Sequence, residues 1–220
     1  MQNVYLDIET IPSQDPAYRA KVREGIKPLG TIKKPESILA WLEENAESAT
    51  DEAVAKTSFD PAHGHICCLA MAINDEPVRY WEARTVADER HILEAFFDEL
   101  IAPEMGQACF IGHNIVGFDL RFILCRAIVL GIPIPRVIPR DIKPWSNEVF
   151  DTMTKWAGAR GTIGQDRLAG ALGLDGKDGF DGSMVAQAWA DGNYGTIARY
   201  CMSDVETVRA IHRRFVAVGF

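Results

Sequence analysis

The sequence predicts an α/β domain in which a mixed β-sheet carries helices on its faces. Two adjacent strand patterns at 66–73 and 78–83 form a hairpin, and the later strand patterns alternate with amphipathic helical segments. The chain has 220 residues, of which 47% are hydrophobic and 25% charged, as is typical of soluble globular proteins. We therefore expect a single domain spanning residues 1–220.

The elements follow from local patterns. Alternating polarity at 3–10 predicts the first strand, with its apolar and polar side chains on opposite faces. The next segment, about 12–64, is richer in polar residues, and we expect it to be a helical insertion with a helix at 35–59. After the hairpin, the patterns predict a helix at 87–101, a strand at 108–112, a helix at 118–130, a strand at 148–153, and helices at 165–172, 184–190 and 197–217.

Charge and cysteine content narrow the function classes. A net charge of −8 disfavours sequence-independent duplex binding, which depends on phosphate neutralisation by basic side chains. It is compatible with an enzyme that uses metal ions at a carboxylate cluster, because the cations supply positive charge there. Five cysteines without a Cys-x-x-Cys motif indicate buried thiols and a cytoplasmic protein. No signal segment precedes the first strand and no apolar run reaches the roughly 18 residues of a membrane span, so no membrane partner is expected.

Three positions carry acidic side chains where a folded protein seldom tolerates them. Asp7 and Glu9 lie two residues apart on the first strand and point to one face, which is costly unless a cation or other partners compensate. Asp204 lies within the apolar stripe of the last helix, and Tyr200 lies one turn earlier on the same side. The alternatives are a solvent-facing strand for the first pair and a core arginine or backbone donor for Asp204.

Asp119 is predicted at a strand-to-helix junction. An aspartate in the first turn of a helix is favoured by the helix dipole alone, which is the simpler interpretation. The neighbouring Asn114 and Phe118 favour another one, because an amide and an aromatic ring beside a carboxylate suit a nucleotide. If these four acids converge, they provide the ligands that two hard divalent cations, about 4 Å apart, need for in-line displacement at phosphorus.

Three segments contain these residues, in the order Leu6-Asp7-Ile8-Glu9-Thr10, Gly112-His113-Asn114 with Phe118-Asp119, and Tyr200-Cys201-Met202-Ser203-Asp204. They resemble the exonuclease motifs of the DEDD superfamily, in their proper order. The third has the Tyr-x-x-x-Asp form of the tyrosine subgroup, and the greatest similarity is to predicted exonucleases related to the proofreading domain of family-B DNA polymerases. This resemblance implies a ribonuclease-H-like fold and two Mg²⁺ or Mn²⁺ ions.

The resemblance also implies roles for individual residues. Asp7, Glu9 and Asp204 resemble ligands of the first ion, with Asp7 shared between both ions. Asp119 resembles the ligand of the second ion, and Tyr200 the residue that orients the nucleophile. Contacts to the terminal nucleotide are implied for Thr10, Asn114 and Phe118.

The expected function is therefore a metal-dependent 3′-5′ exonuclease acting on single-stranded ends. We expect DNA as the substrate and nucleoside monophosphates as products, and a replication or repair partner acting in trans. The alternatives are a binding module that has lost catalysis and the same chemistry on RNA, since the sequence does not locate a 2′-hydroxyl contact.

Two further patterns suggest other ligands. His63, His65 and Cys67 alternate in a way that could begin a zinc site, although no second ligand cluster completes it. A loop with Arg136, Arg140 and Lys143, next to Trp145, could contact a phosphate backbone, although a solvated loop accounts for it more simply.

Overall fold

A computed structural model describes residues 1–141, 146–158, 160–174 and 179–220. Within these residues five strands form one sheet in the order β3-β2-β1-β4-β5. Strand β1 pairs antiparallel with β2 and parallel with β4, and the pairs β2–β3 and β4–β5 are antiparallel and parallel, respectively. The predicted mixed sheet is confirmed. Its strands are β1 (Gln2–Ile11), β2 (His65–Ile73), β3 (Arg79–Glu82), β4 (Ala108–Gly112) and β5 (Val149–Asp151).

The described residues also form eight α-helices, joined in places by short 3-10 turns. None of these helices combines the length and the apolar character that crossing a bilayer requires. The helices are α1 (Pro16–Gly25), α2 (Pro35–Ala55), α3 (Glu89–Glu99), α4 (Asp119–Leu130), α5 (Thr152–Ala157), α6 (Gln165–Ala171), α7 (Val185–Ala190) and α8 (Tyr194–Ala217).

Helices cover both faces of the sheet, as predicted. The alternation of β1 places Val4, Leu6 and Ile8 in one hydrophobic cluster, which includes buried side chains of α3 and α4. Tyr5 and Ile11 belong to the cluster on the other face, which is built with α7 and α8. The two carboxylates of β1 therefore lie on the face of the strand that points toward α8, where they interrupt the apolar pattern.

Two helices are absent from the sequence-based prediction. Helix α1 begins after Asp15, whose carboxylate accepts a hydrogen bond from the Ala17 N–H, and it contributes no buried side chain. It therefore lacks the apolar periodicity that reveals a helix. Helix α5 begins at Thr152 because Asp151 accepts the N–H groups of Met153 and Thr154. The strand predicted to reach residue 153 ends at residue 151 for this reason.

Two predicted apolar stripes differ from those observed. In α2 the predicted stripe of Ile38, Leu39, Trp41 and Leu42 is not buried, and Leu39 is 62% exposed. The buried residues of α2 are Ala46 and Thr50, one to two turns further on. The segment between β1 and β2 thus contains α1, α2 and a 3-10 turn at Lys56–Phe59, and it contributes little to the core. In α8 the stripe is buried as predicted except at Val216, which is exposed.

Candidate active site

All eight residues predicted for the site line one cleft of about 350 Å³. Strand β1 contributes from the sheet centre, the β4–α4 connection from one side and α8 from the other. Residues far apart in the sequence therefore meet because β1 pairs with β4 and packs against α8. The eight residues are Asp7, Glu9, Thr10, Asn114, Phe118, Asp119, Tyr200 and Asp204.

Asp7 lies among other acidic groups. Ligand atoms of Asp7, Glu9 and Cys201 all lie within 4.8 Å of one another. The Asp7 Oδ2 is buried and accepts no hydrogen bond from the described residues. Burial, followed by repulsion from Glu9, Asp204 and Asp119, raises the pKa of Asp7 well above its ordinary value. A hydrogen bond from the Cys201 side chain opposes this shift but does not offset it, so the folded protein compensates a negative charge on this carboxylate only in small part.

Asp119 is the first residue of α4 and is buried. Its Oδ1 accepts a hydrogen bond from the backbone N–H of Ile8 at 3.1 Å, which ties the start of α4 to β1. Burial raises the pKa of Asp119 to about 7, with further contributions from the Asp151 and Asp204 charges, although its own N–H and that of Ile8 oppose the shift. The helix dipole therefore does not suffice to keep this acid in its ordinary pKa range.

Asp204 is buried in α8, within the apolar stripe predicted from the sequence. The Gln165 side chain donates to the Asp204 Oδ1 at 3.0 Å and also approaches the Asp204 carbonyl oxygen at 3.3 Å. Gln165 is the first residue of α6 and has no motif around it that marks it as functional. It fixes one carboxylate oxygen of Asp204 by a contact that only the tertiary structure creates.

Asp151 holds the loop that presents Asn114. Its two carboxylate oxygens accept hydrogen bonds from the N–H groups of Asn114 and Val116, in addition to those at the start of α5. Asn114 has a positive φ of 61°, and a Cβ at Gly117 would lie 2.5 Å from the Asn114 Oδ1. Glycine at position 117 therefore leaves room for the Asn114 side chain, and Asp151 fixes the backbone of the loop beside the cleft.

The aromatic side of the cleft contains one ring that the sequence did not identify. The Phe118 ring packs against the Phe122 ring from the core, with centroids 5.4 Å apart, and lies 6.3 Å from the Phe59 ring. The Thr10 hydroxyl donates to the carbonyl oxygen of Ser58 at 2.7 Å. Ser58 and Phe59 line the cleft, and no motif marks them because they lie at the end of the insertion.

Tyr200 lies one helical turn before Asp204 and lines the same cleft. Its ring meets the Phe180 ring edge-on, with centroids 5.1 Å apart. Gly182 and Ser183 also line the cleft and were not predicted. The tyrosine is thus positioned by an aromatic contact on one side, with its hydroxyl-bearing ring beside the carboxylates.

The donor set fits hard divalent cations. Carboxylate oxygens are the ligands that Mg²⁺ and Mn²⁺ prefer, and the buried Asp7 Oδ2 is an acceptor that no described donor satisfies. In the metal-free protein, burial, followed by interaction with Cys68, raises the pKa of Cys201 well above its ordinary value, so its sulfur carries a proton. The thiol donates to the Asp7 carbonyl oxygen at 3.4 Å. The residues present therefore favour oxygen-coordinated ions over thiophilic ones.

The alternating histidines and cysteine near the start of β2 make contacts of a different kind. His63 stacks on Tyr18, with ring centroids 3.8 Å apart, and His65 pairs with Glu89. The described His63, His65 and Cys67 do not form a metal-ligating group. The hypothesis of a zinc site at these residues is therefore not supported.

The basic loop that could contact a phosphate backbone lies partly outside the described residues. Arg136 and Arg140 are described, and Arg140 donates to the Ile134 carbonyl oxygen at 3.1 Å. Lys143 and Trp145 lie outside the described residues. A contact between this loop and nucleic acid therefore stays a prediction.

The fold is similar to that of a much larger enzyme. A solved structure of the family B DNA polymerase from the hyperthermophilic archaeon Pyrobaculum calidifontis matches 98% of this chain with a TM-score of 0.63 at 18% sequence identity. The chain spans 24% of the length of that polymerase. No curated protein matches the sequence. At this identity the similarity establishes the fold, which is the ribonuclease-H-like α/β arrangement expected from the sequence.

A family model matches residues 61–218. The matched region contains the β4–α4 connection and α8, and therefore Asn114, Asp119, Tyr200 and Asp204. Strand β1 lies outside it, so Asp7 and Glu9 join the site through the geometry described above. The matched region covers well over half of the sequence. The chain therefore belongs to the family of predicted 3′-5′ exonucleases related to the exonuclease domain of PolB.

Proposed function

We propose that the protein is a metal-dependent 3′-5′ exonuclease that hydrolyses the terminal phosphodiester bond of single-stranded DNA and releases nucleoside monophosphates. The observation that carries this proposal is the meeting of four carboxylates from β1, α4 and α8 in one cleft, together with Tyr200. Family membership supports the direction of cleavage. A module that only binds nucleic acid would gain nothing from the buried Asp7 Oδ2, which no described donor satisfies.

The carboxylates are proposed to bind two ions, Mg²⁺ or Mn²⁺. Asp7, Glu9 and Asp204 would hold one, and Asp119 and Asp7 the other. When bound, such ions supply positive charge at the scissile phosphate and lower the pKa of a coordinated water. The contribution of the chain is to hold the oxygens in place, through the Ile8 N–H at Asp119 and the Gln165 amide at Asp204.

The remaining residues position the reactants. The Tyr200 hydroxyl orients the attacking water by hydrogen bonding. Asn114 holds the terminal nucleotide by hydrogen bonding, and the Phe118 ring contacts it. Thr10 contributes indirectly, because its hydroxyl donates a hydrogen bond to the Ser58 carbonyl oxygen and so holds the Ser58 backbone at the cleft. Correct placement of the phosphodiester bond relative to the water accounts for a large part of such catalysis.

A labelled-strand assay tests the proposal. Wild type, Asp7→Ala and Asp204→Asn are incubated with a 5′-labelled single-stranded DNA and Mg²⁺ or Mn²⁺, with Asp98→Asn as the matched control because Asp98 is exposed on α3. We expect a ladder of shortened products that requires the metal, vanishes in both site variants and persists in the control. Identical ladders in all four proteins would indicate a contaminant and contradict the proposal. An RNA strand of the same sequence distinguishes the two polymers.

Tyr200→Phe separates water orientation from metal binding. We expect the rate constant for single-turnover cleavage to fall about tenfold or more, because one oriented hydrogen bond to the nucleophile is lost. Mn²⁺ affinity, measured by calorimetry, should stay within about twofold of the wild-type value because the carboxylates are unchanged. An unaltered rate would remove Tyr200 from the mechanism.

A further inference from the structure

The 3-10 turn at Lys56–Phe59 is held firmly at the rim of the cleft. The Thr57 side chain is buried, and its hydroxyl accepts from the Ser13 N–H at 2.8 Å and donates to the Val54 carbonyl oxygen at 2.6 Å. The Ser58 carbonyl oxygen accepts from Thr10 on β1. Side-chain hydrogen bonds therefore fix the turn backbone both to the segment that follows β1 and to β1 itself.

Close packing fixes the turn from below as well. A Cβ added at Gly64 would lie 2.3 Å from the Thr57 carbonyl oxygen, so the chain leading into β2 passes directly under the turn. The Gly64 N–H donates to the Asp60 carbonyl oxygen at 2.8 Å. With these contacts the backbone at Phe59 has little freedom to move relative to the sheet.

The Phe59 ring nevertheless points away from the core. It is 74% exposed and lines the cleft that contains the carboxylates. Its ring contact is with Phe118, at 6.3 Å between centroids and 57° between ring planes. Leaving a phenylalanine exposed to water forgoes the stabilisation that burial of its ring would contribute. A large apolar ring that a rigid turn keeps exposed beside a cleft has the properties of a binding surface rather than of a core residue.

We propose that Phe59 binds the base of the 3′-terminal nucleotide by stacking and thereby favours unpaired ends. This inference rests on the proposed function of the same cleft. Phe118, which Phe122 supports from the core, contacts Phe59 with its rings tilted, so the base stacks on the open face of Phe59 rather than between two parallel rings. A base within a duplex end is already stacked and paired, and reaching Phe59 would cost that interaction.

The kinetic test uses substrates with and without a terminal base. Wild type, Phe59→Ala and Phe59→Trp are compared on a single strand that ends in an ordinary nucleotide and on one that ends in an abasic site, with Leu39→Ala as the exposed apolar control. For Phe59→Ala we expect kcat/KM on the ordinary end to fall about tenfold, within the range for loss of one stacked base. On the abasic end the change should stay within about twofold. Phe59→Trp should retain wild-type activity, and no variant should change Tm, because the ring is exposed.

A binding test separates this inference from the proposed function. Fluorescence anisotropy of the same labelled strands, in chelator without metal, measures affinity where no cleavage occurs. A tenfold higher Kd for Phe59→Ala on the ordinary end, with no change on the abasic end, supports stacking. This holds even if wild type cleaves neither strand; the absence of cleavage would contradict only the proposed function. Equal losses on ordinary and abasic ends, no loss on either, or no binding by wild type would overturn the role of Phe59.

Discussion

Two acidic regions of this protein show how burial and compensation act together on a carboxylate. At the first, Glu89 is 1% exposed, and the Arg126 guanidinium, itself 3% exposed, donates to both carboxylate oxygens at 2.8 and 2.7 Å. The Ile66 N–H donates a third hydrogen bond at 2.9 Å, and His65 lies within hydrogen-bond distance. Burial alone would raise the pKa of Glu89, but these partners hold it below its ordinary value.

At the second region the compensation is small and comes from the Cys201 side chain. Asp7 is surrounded by Glu9, Asp119 and Asp204, its Oδ2 receives no hydrogen bond from the described residues, and its pKa is shifted upward instead of downward. Glu89 lies on α3 and Asp7 lies on β1, so both acids belong to the same domain. The difference shows that burial of an acid does not by itself indicate a functional site, whereas a buried acid with little compensation is a candidate for one.

The largest expected effect comes from removing the compensating cation at Glu89. Arg126→Met should lower the free energy of unfolding by ~3–5 kcal/mol, because a buried carboxylate then loses its partner. Urea unfolding monitored by circular dichroism measures the change. The double variant Glu89→Gln with Arg126→Met is the control and should recover much of the loss. A loss below about 1 kcal/mol would mean that Glu89 does not depend on Arg126 and would weaken the comparison.

The pH dependence of stability should differ at the second region. In the metal-free protein Asp119 keeps its proton up to about pH 7, whereas in the unfolded chain it releases it near pH 3.8. The folded state therefore binds more protons in this window, and the free energy of unfolding should fall as pH rises through it, by ~4 kcal/mol. Thermal melts with chelator at several pH values test this.

Asp119→Asn is the matched control for the pH experiment. His212 has a pKa lowered by burial, so its contribution to stability rises with pH and opposes that of Asp119. Because His212 is present in both proteins, its contribution cancels in the difference between wild type and Asp119→Asn. That difference should show the decline with pH, and parallel curves for the two proteins would refute the upward shift of Asp119.

A smaller effect is expected from relieving the repulsion at Asp7. Asp7→Asn should raise the free energy of unfolding in chelator by ~1 kcal/mol, because the amide removes one like charge from the cluster. With Mn²⁺ present, wild type should gain stability and the variant should gain less. Differential scanning calorimetry with and without metal gives both numbers. A variant that melts lower than wild type in chelator would indicate that Asp7 stabilises the apo fold.

The smallest expected effect concerns the partial compensation that Gln165 gives Asp204. Gln165→Ala should reduce kcat about threefold to tenfold with KM nearly unchanged, because a carboxylate that binds metal loses one fixed orientation. The Mn²⁺ concentration at half-maximal activity should rise. Gln165→Asn is the conservative control and retains an amide donor on a shorter side chain. A variant with unaltered kcat and metal dependence would limit Gln165 to a packing role.

The sequence predicted the features that leave a periodic pattern of apolar residues. The alternation in β1 placed Asp7 and Glu9 on the face toward α8, and the stripe in α8 placed Asp204 inward. Helix α1 was not predicted because none of its side chains is buried. Helix α5 was not predicted because its start depends on hydrogen bonds to the Asp151 side chain. Such features have no apolar pattern, so only the folded backbone reveals them.

The sequence predicted the site residues that lie in recognisable motifs, but not those that reach the cleft from other segments, such as the end of the insertion. The eight residues named from the sequence converge on the cleft, whereas their individual roles remain predictions. Gln165 and Phe59 were not found because each reaches the cleft through tertiary contacts, from the start of α6 and from the end of the insertion. An exposed phenylalanine in a polar segment looks unremarkable until the ring beside it is known.

Anomalous scattering from a crystal of wild-type protein soaked in Mn²⁺ is the most direct test of metal binding by the four carboxylates of the cleft. We predict peaks in the cleft between the carboxylates of Asp7, Glu9, Asp119 and Asp204. We predict none beside Glu89, because the Arg126 guanidinium already donates hydrogen bonds to both of its carboxylate oxygens. An empty cleft under Mn²⁺ concentrations that support strand cleavage, or peaks confined to other surfaces, would contradict this prediction.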